Sequence, residues 1–155
     1  MIKGGRRQAR ELAVKFLYGQ PSVIGLDKTL VEFWQNFRFA ADELGDVVDD
    51  QDLPIDADVA AFTEALSRGA VVHQDEIDHA ITTASNNWSV ERMAKVDLAI
   101  LRLAVYELLF THETPSRVVI NEAIEIGKRF GTGESSGFLN GILDRIAHQV
   151  RKEEA

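Results

Sequence analysis

Hydrophobic side chains recur every three or four residues along most of the chain, which is the period of an amphipathic α-helix. The first such stretch predicts a helix over residues 6–18. Its inward-facing residues are Ala9, Leu12, Ala13, Phe16 and Leu17. Similar stripes predict six further helices, over residues 27–40, 57–73, 75–84, 94–110, 114–130 and 138–150. Because no stretch shows the alternation of a strand, the pattern predicts an all-α bundle of about seven helices.

Residues 94–110 are apolar around nearly the whole helix circumference, which is typical of a helix at the centre of a bundle. Glycines and prolines mark the helix ends. Pro115 is expected at the first helical position of the sixth helix, after Thr114 as its cap. Gly131 is expected to provide a left-handed stop to the same helix. Residues 131–137 then predict a flexible connector.

The chain has 155 residues, which suits one domain. The acidic stretch 41–56 predicts a solvated loop between an N-terminal helical group, about 1–73, and a C-terminal group, about 74–155. No apolar run approaches the ~20 residues of a membrane helix. The N-terminus lacks the apolar stretch of a secretory signal. These features, with the absence of cysteine, predict a cytoplasmic protein without membrane contact.

Charge is unevenly distributed along the chain, whose net charge is −8. Residues 1–20 contain five basic groups and one acidic group, whereas residues 21–80 contain three basic and 14 acidic groups. Residues 81–155 are nearly balanced. A polyanion could therefore bind the N-terminal segment only if the fold directs the acidic segment elsewhere.

The basic N-terminal segment is the first candidate binding site. Lys3, Arg7 and Arg10 lie three or four residues apart, and Arg6 joins Arg10 at a spacing of four, so their side chains could meet phosphate oxygens. Tyr18 offers a surface on which a base could stack. The alternative is a solvated helix start with scattered arginines, and charge alone leaves both open.

Other patterns do not support enzyme chemistry. Gly131 to Gly137 lacks the Gly-Lys-Ser/Thr ending of a phosphate loop and follows a helix, not a strand. His73 and His79 are six residues apart and do not share a helix face. Glu122 and Glu125 have no nearby catalytic partner in sequence. We therefore predict no catalytic residue, no metal site and no cofactor.

Several blocks in order along the chain resemble the NusB family of transcription antitermination factors. They are the basic opening at 6–14, the apolar segment 95–108, the segment 115–125 with its Asn-Glu-Ala-Ile-Glu, Phe130–Gly131, and Phe-Leu-Asn-Gly-Ile-Leu-Asp at 138–144. The resemblance implies two packed subdomains of three to four helices each.

The same resemblance implies a role in processive antitermination, chiefly at ribosomal RNA operons, within the RNA polymerase antitermination complex. The expected partners are boxA RNA and NusE, a small-subunit ribosomal protein. The implied RNA-binding residues are Lys3, Arg6, Arg7, Arg10, Tyr18, Glu134, Phe138 and Asn140. Asp97 and Tyr18 are the implied protein-partner residues. Asn121 and Glu122 are expected to serve the fold, for instance by bonding a neighbouring loop.

Two residues depart from the family pattern: Gln8 interrupts the arginine run, and Gly137 stands where a basic residue is common. Both departures remove potential phosphate contacts. They leave open a protein-binding module whose RNA surface is vestigial or masked in a homodimer. A methyltransferase accessory domain is disfavoured, because no αβ catalytic region is present up to residue 155. A metal-dependent hydrolase would require bound metal. We expect replacement of Arg7 and Arg10 by alanine to weaken RNA binding without unfolding the helix.

Overall fold

A computed structural model describes residues 4–36 and 55–152 of the chain. Over these residues it contains seven α-helices and one 3₁₀ turn, Val90–Arg92, with no strand, so the all-α prediction is confirmed. The helices are α1 Gly5–Tyr18, α2 Leu26–Asn36, α3 Ala57–Val72, α4 Gln74–Ala84, α5 Lys95–Phe110, α6 Ser116–Phe130 and α7 Ser135–Val150. Lys3, residues 37–40 of the second predicted helix and most of the predicted acidic loop lie outside the described residues.

Helix α5 is the centre of the bundle, as its apolar circumference predicts. It packs against α1, α3, α4, α6 and α7. Leu101, Val105 and Leu108 on this helix have no exposed surface. The main hydrophobic core takes residues from all seven described helices. Both predicted helical groups contribute to this core. Their division into two groups stays a prediction.

Helix ends differ from the sequence predictions at three places. Gly131 has φ −93°, so the left-handed stop predicted there is wrong. Pro115 lies at the N-cap of α6, one position before the first helical residue at which it was predicted. Helix α7 begins at Ser135, which shortens the predicted connector. The early start has a physical reason: the Ser135 hydroxyl is buried and hydrogen-bonded to α5.

The buried Arg151 contacts the C-terminal end of α5. Arg151 donates hydrogen bonds to the carbonyl oxygens of Leu108, Glu107 and Thr111, at 3.1, 2.9 and 3.0 Å. Carbonyls at a helix C-terminus lack partners within the helix. Arg151 provides a donor to these carbonyls, in addition to the hydrogen bond that the Glu107 carbonyl accepts from the Thr111 amide. It thereby joins the end of α7 to the end of α5.

Candidate nucleic-acid interface

The basic side chains of α1 point in different directions. Arg6 is exposed and lies over the Phe62 ring of α3, 5.0 Å from the guanidinium carbon to the ring centroid. Arg7 is exposed and pairs with Glu122 of α6. Arg10 is buried. The structure therefore leaves Arg6 and Arg7 at the surface and separates Arg10 from them, and Lys3 is outside the described residues.

Arg10 is 3% exposed and belongs to the protein interior. Its Nε and Nη2 donate to the two carboxylate oxygens of Glu107 on α5, at 2.9 and 2.8 Å. Burial alone would lower the pKa of Arg10, but the hydrogen bonds and charge of Glu107 raise it above its ordinary value. The structure thus does not bring Arg10 to the surface at which sequence reasoning placed it.

Two ion pairs connect the exposed side of α1 to α6. Arg7 donates from Nε and Nη2 to Glu122, at 2.8 and 3.1 Å. These hydrogen bonds, and the charge of Glu122, raise the pKa of Arg7. In the opposite sense, Arg129 of α6 donates to Glu11 of α1 at 2.7 Å. Glu122 therefore bonds helix α1, whereas a neighbouring loop was the example of a partner suggested by the sequence.

A groove of about 330 Å³ lies around Tyr18 and Asp97, where the ends of several helices meet. Tyr18 ends α1, Asp97 lies in the first turn of α5, and the link between α6 and α7 closes the third side. The lining residues are Tyr18, Ala94, Lys95, Val96, Asp97, Phe130, Gly131, Thr132 and Ser135. The structure thus brings together Tyr18 and Asp97, which are far apart in sequence.

A hydrogen-bond network fixes one wall of this groove. The Ser135 hydroxyl donates to Asp97 Oδ1 at 2.7 Å and accepts from the backbone amide of Thr132 at 3.0 Å. Gly131 leaves room for it, because a Cβ at position 131 would stand 2.3 Å from Ser135 Oγ. Asp97 is consequently held in one orientation. Sequence reasoning missed Ser135, and only its place beside the glycine-rich segment could have drawn attention to it.

Cationic and aromatic residues that sequence reasoning passed over lie beside the groove. Lys95 contributes to the lining. The Lys15 ammonium lies 5.6 Å from the centroid of the Phe130 ring, within the range of a cation–π contact. These residues add positive charge next to Tyr18.

The remaining predicted residues lie at the start of α7. Glu134 and Asn140 are exposed, and Phe138 is half-buried. The Phe138 ring meets the Trp88 ring edge-on, with centroids 5.7 Å apart. Trp88 is itself 44% exposed, so this pair presents aromatic surface to solvent. Gly137 faces open space.

Residues 4–36 and 55–152 contain neither a metal-binding cluster nor a membrane-spanning helix. No group of three or more His, Asp or Glu side chains in these ranges could hold a metal ion. His73 belongs to the densest group of candidate metal ligands in the sequence, and it stacks on Phe110 with centroids 4.1 Å apart. No helix in the same ranges combines the length and apolar character needed to cross a membrane.

Comparison with known proteins agrees over nearly the full chain. Residues 7–148 match the model of the NusB family. The transcription antitermination protein NusB of Syntrophotalea carbinolica is 48% identical over 151 residues, which cover 97% of each chain. The solved structure of T. maritima NusB aligns with a TM-score of 0.74 at 34% identity, covering 96% of this chain and 95% of that one.

A solved structure of the antitermination factors NusB and NusE in complex with dsRNA also aligns. Its TM-score is 0.72 at 24% identity, covering 96% of this chain and 99% of the matched chain. At this level of identity the likeness shows a shared fold.

Proposed function

The chain belongs to the NusB family, and from this premise we propose that it is a transcription antitermination factor. It binds boxA-type single-stranded RNA in nascent ribosomal transcripts together with NusE, and it promotes processive elongation by RNA polymerase. The observation that carries the proposal is the similarity to an antitermination protein NusB across 97% of the chain. The protein acts in the cytoplasm as a binding factor, without catalysis.

Arg6 and Arg7 are the α1 cations that we assign to RNA phosphates. Both are exposed, and a guanidinium can meet two phosphate oxygens at once. Arg10 is left out, because contact with RNA would require breaking its buried pair with Glu107. Lys3 precedes the described residues, and we assign it to RNA phosphates because of its positive charge.

Aromatic side chains supply the base contacts. Recognition of single-stranded RNA commonly stacks splayed bases on aromatic rings. Tyr18 in the groove and Phe138 beside Trp88 offer such rings. The exposed Asn140 can donate to or accept from a base edge, whereas the exposed Glu134 can only accept.

We assign the Tyr18–Asp97 groove to NusE. A carboxylate repels phosphate. Asp97 is therefore better suited to accept a hydrogen bond from a protein partner or from a base than to contact the phosphate backbone of RNA. The hydrogen bond from Ser135 holds this carboxylate in place before a partner arrives. A rigid acceptor beside a stacking ring is the kind of site at which a protein and an RNA could meet.

The proposal is tested by fluorescence anisotropy of a labelled boxA RNA titrated with this protein, with and without NusE, against a scrambled RNA. We expect preferential binding to boxA, strengthened by NusE. Equal binding to both RNAs, or no binding to either in the presence of NusE, would remove the antitermination assignment.

The phosphate contact is tested by Arg7→Ala. We expect weaker binding and a salt dependence of log K that is flatter by about 0.7 for the lost phosphate contact. Arg68→Ala is the matched control, because Arg68 is an exposed arginine of α3 that pairs with Asp27. An unchanged salt dependence in Arg7→Ala would show that Arg7 does not contact an RNA phosphate.

A second candidate is a protein-binding module whose RNA surface is masked in a homodimer. It is favoured by the net charge of −8 and by the pairing of Arg7 with Glu122. Analytical ultracentrifugation with the same titrations separates the two candidates. This candidate predicts a dimer that binds NusE and no RNA.

A further inference from the structure

The guanidinium of Arg7 is already engaged by an internal carboxylate. Its Nε and Nη2 meet the two oxygens of Glu122 at 2.8 and 3.1 Å, which is the two-pronged arrangement that arginine also forms with phosphate. Arg7 is nevertheless at the surface, since its side chain is 52% exposed while that of Glu122 is 19% exposed. An incoming phosphate can form the same two-pronged contact with Nε and Nη2 only in competition with Glu122.

The same surface repeats the arrangement one helical turn further along α1. Arg129 of α6 donates to Glu11 of α1 at 2.7 Å. Arg6, Arg7, Glu11 and Glu122 all line one open cleft of about 510 Å³. The cations of this cleft are thus interleaved with carboxylates from both helices. Its local charge is far less positive than the run of arginines in the sequence indicates.

We propose that Glu122 is an affinity-setting residue, which occupies the Nε–Nη2 edge of the phosphate-binding Arg7 in the free protein and is displaced when an RNA phosphate takes that edge. This inference rests on the proposed RNA-binding function. The carboxylate acts as an internal substitute for a phosphate. It lowers the affinity of the protein for every RNA, so that the protein alone binds weakly and requires additional contacts from a partner.

The size of the effect follows from the exposure of the pair. Partly exposed ion pairs are weakened by solvent, and their removal changes an equilibrium by about two- to five-fold. A phosphate contact carries no sequence information. Release of Arg7 should therefore tighten boxA and scrambled RNA by the same factor and leave the ratio between them unchanged.

The experiment compares Glu122→Gln with Glu125→Gln in anisotropy titrations of both RNAs. Glu125 lies on the same helix and pairs with Lys128 at 3.3 Å, so Glu125→Gln removes the same charge without freeing Arg7. We expect Glu122→Gln to bind both RNAs about two- to five-fold more tightly, and Glu125→Gln to give a clearly smaller gain. Glu122→Ala, which cannot accept a hydrogen bond from Arg7, should match or exceed Glu122→Gln.

Each other outcome overturns the inference. An equal gain in the two glutamine variants would show a general charge effect. Unchanged or weaker binding in both Glu122→Gln and Glu122→Ala would show that Glu122 does not compete with RNA. Failure of the proposed function is distinct, since it would appear as absence of boxA preference in the wild-type protein with NusE. Wild-type protein and Glu122 variants that all fail to bind either RNA would contradict both.

Discussion

Arg10 of α1 and Glu107 of α5 form a two-pronged ion pair inside the protein, with hydrogen bonds of 2.9 and 2.8 Å. The two side chains are 4% and 2% exposed. This pair fastens the N-terminal helix to the central helix. A residue of the basic N-terminal segment therefore contributes to the fold, although its neighbours Arg6 and Arg7 face solvent.

Arg10→Ala should lower the free energy of unfolding by about 3–5 kcal/mol, because it leaves the Glu107 carboxylate buried without its partner. Arg6→Ala is the matched control, and as a surface change it should stay within about 0.5 kcal/mol. Urea denaturation followed by circular dichroism measures both. This expected loss of stability stands against the expectation from sequence that Arg7 and Arg10 can be replaced by alanine without unfolding the helix. Equal stability of the two variants would contradict the assigned role.

Sequence periodicity was sufficient for the fold because helices bury apolar stripes. The stripe at Ala9, Leu12 and Ala13 predicted the buried face of α1, and the apolar segment 94–110 predicted the central position of α5. Helix ends were predicted less well, since they depend on tertiary contacts. Gly131 is an example: it is required for the space that Ser135 Oγ occupies and not for a left-handed backbone.

The candidate site could be predicted only in part. Family resemblance pointed to Tyr18 and Asp97, which the structure places around one groove. It could not show that Arg10 is buried while Arg7 is exposed. Residues three apart lie on neighbouring parts of one helix face, and the edge of the buried surface is set by packing partners that are distant in sequence. Ion pairs such as Arg129 with Glu11 span 118 residues and leave no local pattern.

Ser135→Ala should destabilise the protein and lower its affinity for NusE at the Tyr18–Asp97 groove. It removes the donor to Asp97 and the acceptor of the Thr132 amide, and Ser135 is only 1% exposed. Loss of such buried partners costs about 1–3 kcal/mol. Urea denaturation and titration with NusE measure the two effects, with Ser136→Ala as the control on the same helix. If Ser135→Ala bound NusE as tightly as the control variant does, Ser135 would not contribute to NusE binding.

Tyr106 should make stability fall at alkaline pH. Burial first, and then the charges of Glu107 and Glu113, raise its pKa above the ordinary value of about 10. The folded state keeps the phenol proton to higher pH than the unfolded state does. The resulting stabilisation is complete below pH ~10 and is lost as pH rises through the raised pKa.

This titration can be followed in one variant, because the chain contains two tyrosines. In Tyr18→Phe, the ultraviolet absorbance of phenolate reports Tyr106 alone, and it should appear above the ordinary pKa. Tyr106→Phe should abolish the decline in stability that Tyr106 causes over this pH range. An ordinary titration midpoint for Tyr106 would show that burial does not hold its phenol proton in the folded protein.

Two glycines of the α6–α7 link should respond in opposite ways to alanine. A Cβ at position 131 would stand 2.3 Å from Ser135 Oγ and 2.8 Å from the carbonyl oxygen of Gly127, and the latter belongs to the backbone and cannot easily move. Gly131→Ala should therefore cost about 1–3 kcal/mol through overpacking. A Cβ at Gly133 would meet nothing within 4 Å, and Gly133 is not in the left-handed region.

Gly133→Ala should accordingly be neutral or should stabilise the protein by up to about 1 kcal/mol, because alanine restricts the unfolded chain. Thermal unfolding of the two variants gives the comparison, and titration with NusE shows whether the groove is altered. We expect only Gly131→Ala to lose affinity, since the clash pushes the Ser135 hydroxyl away from Asp97. If both variants unfolded alike and bound NusE alike, the close packing of Gly131 against Ser135 would not be what holds the groove.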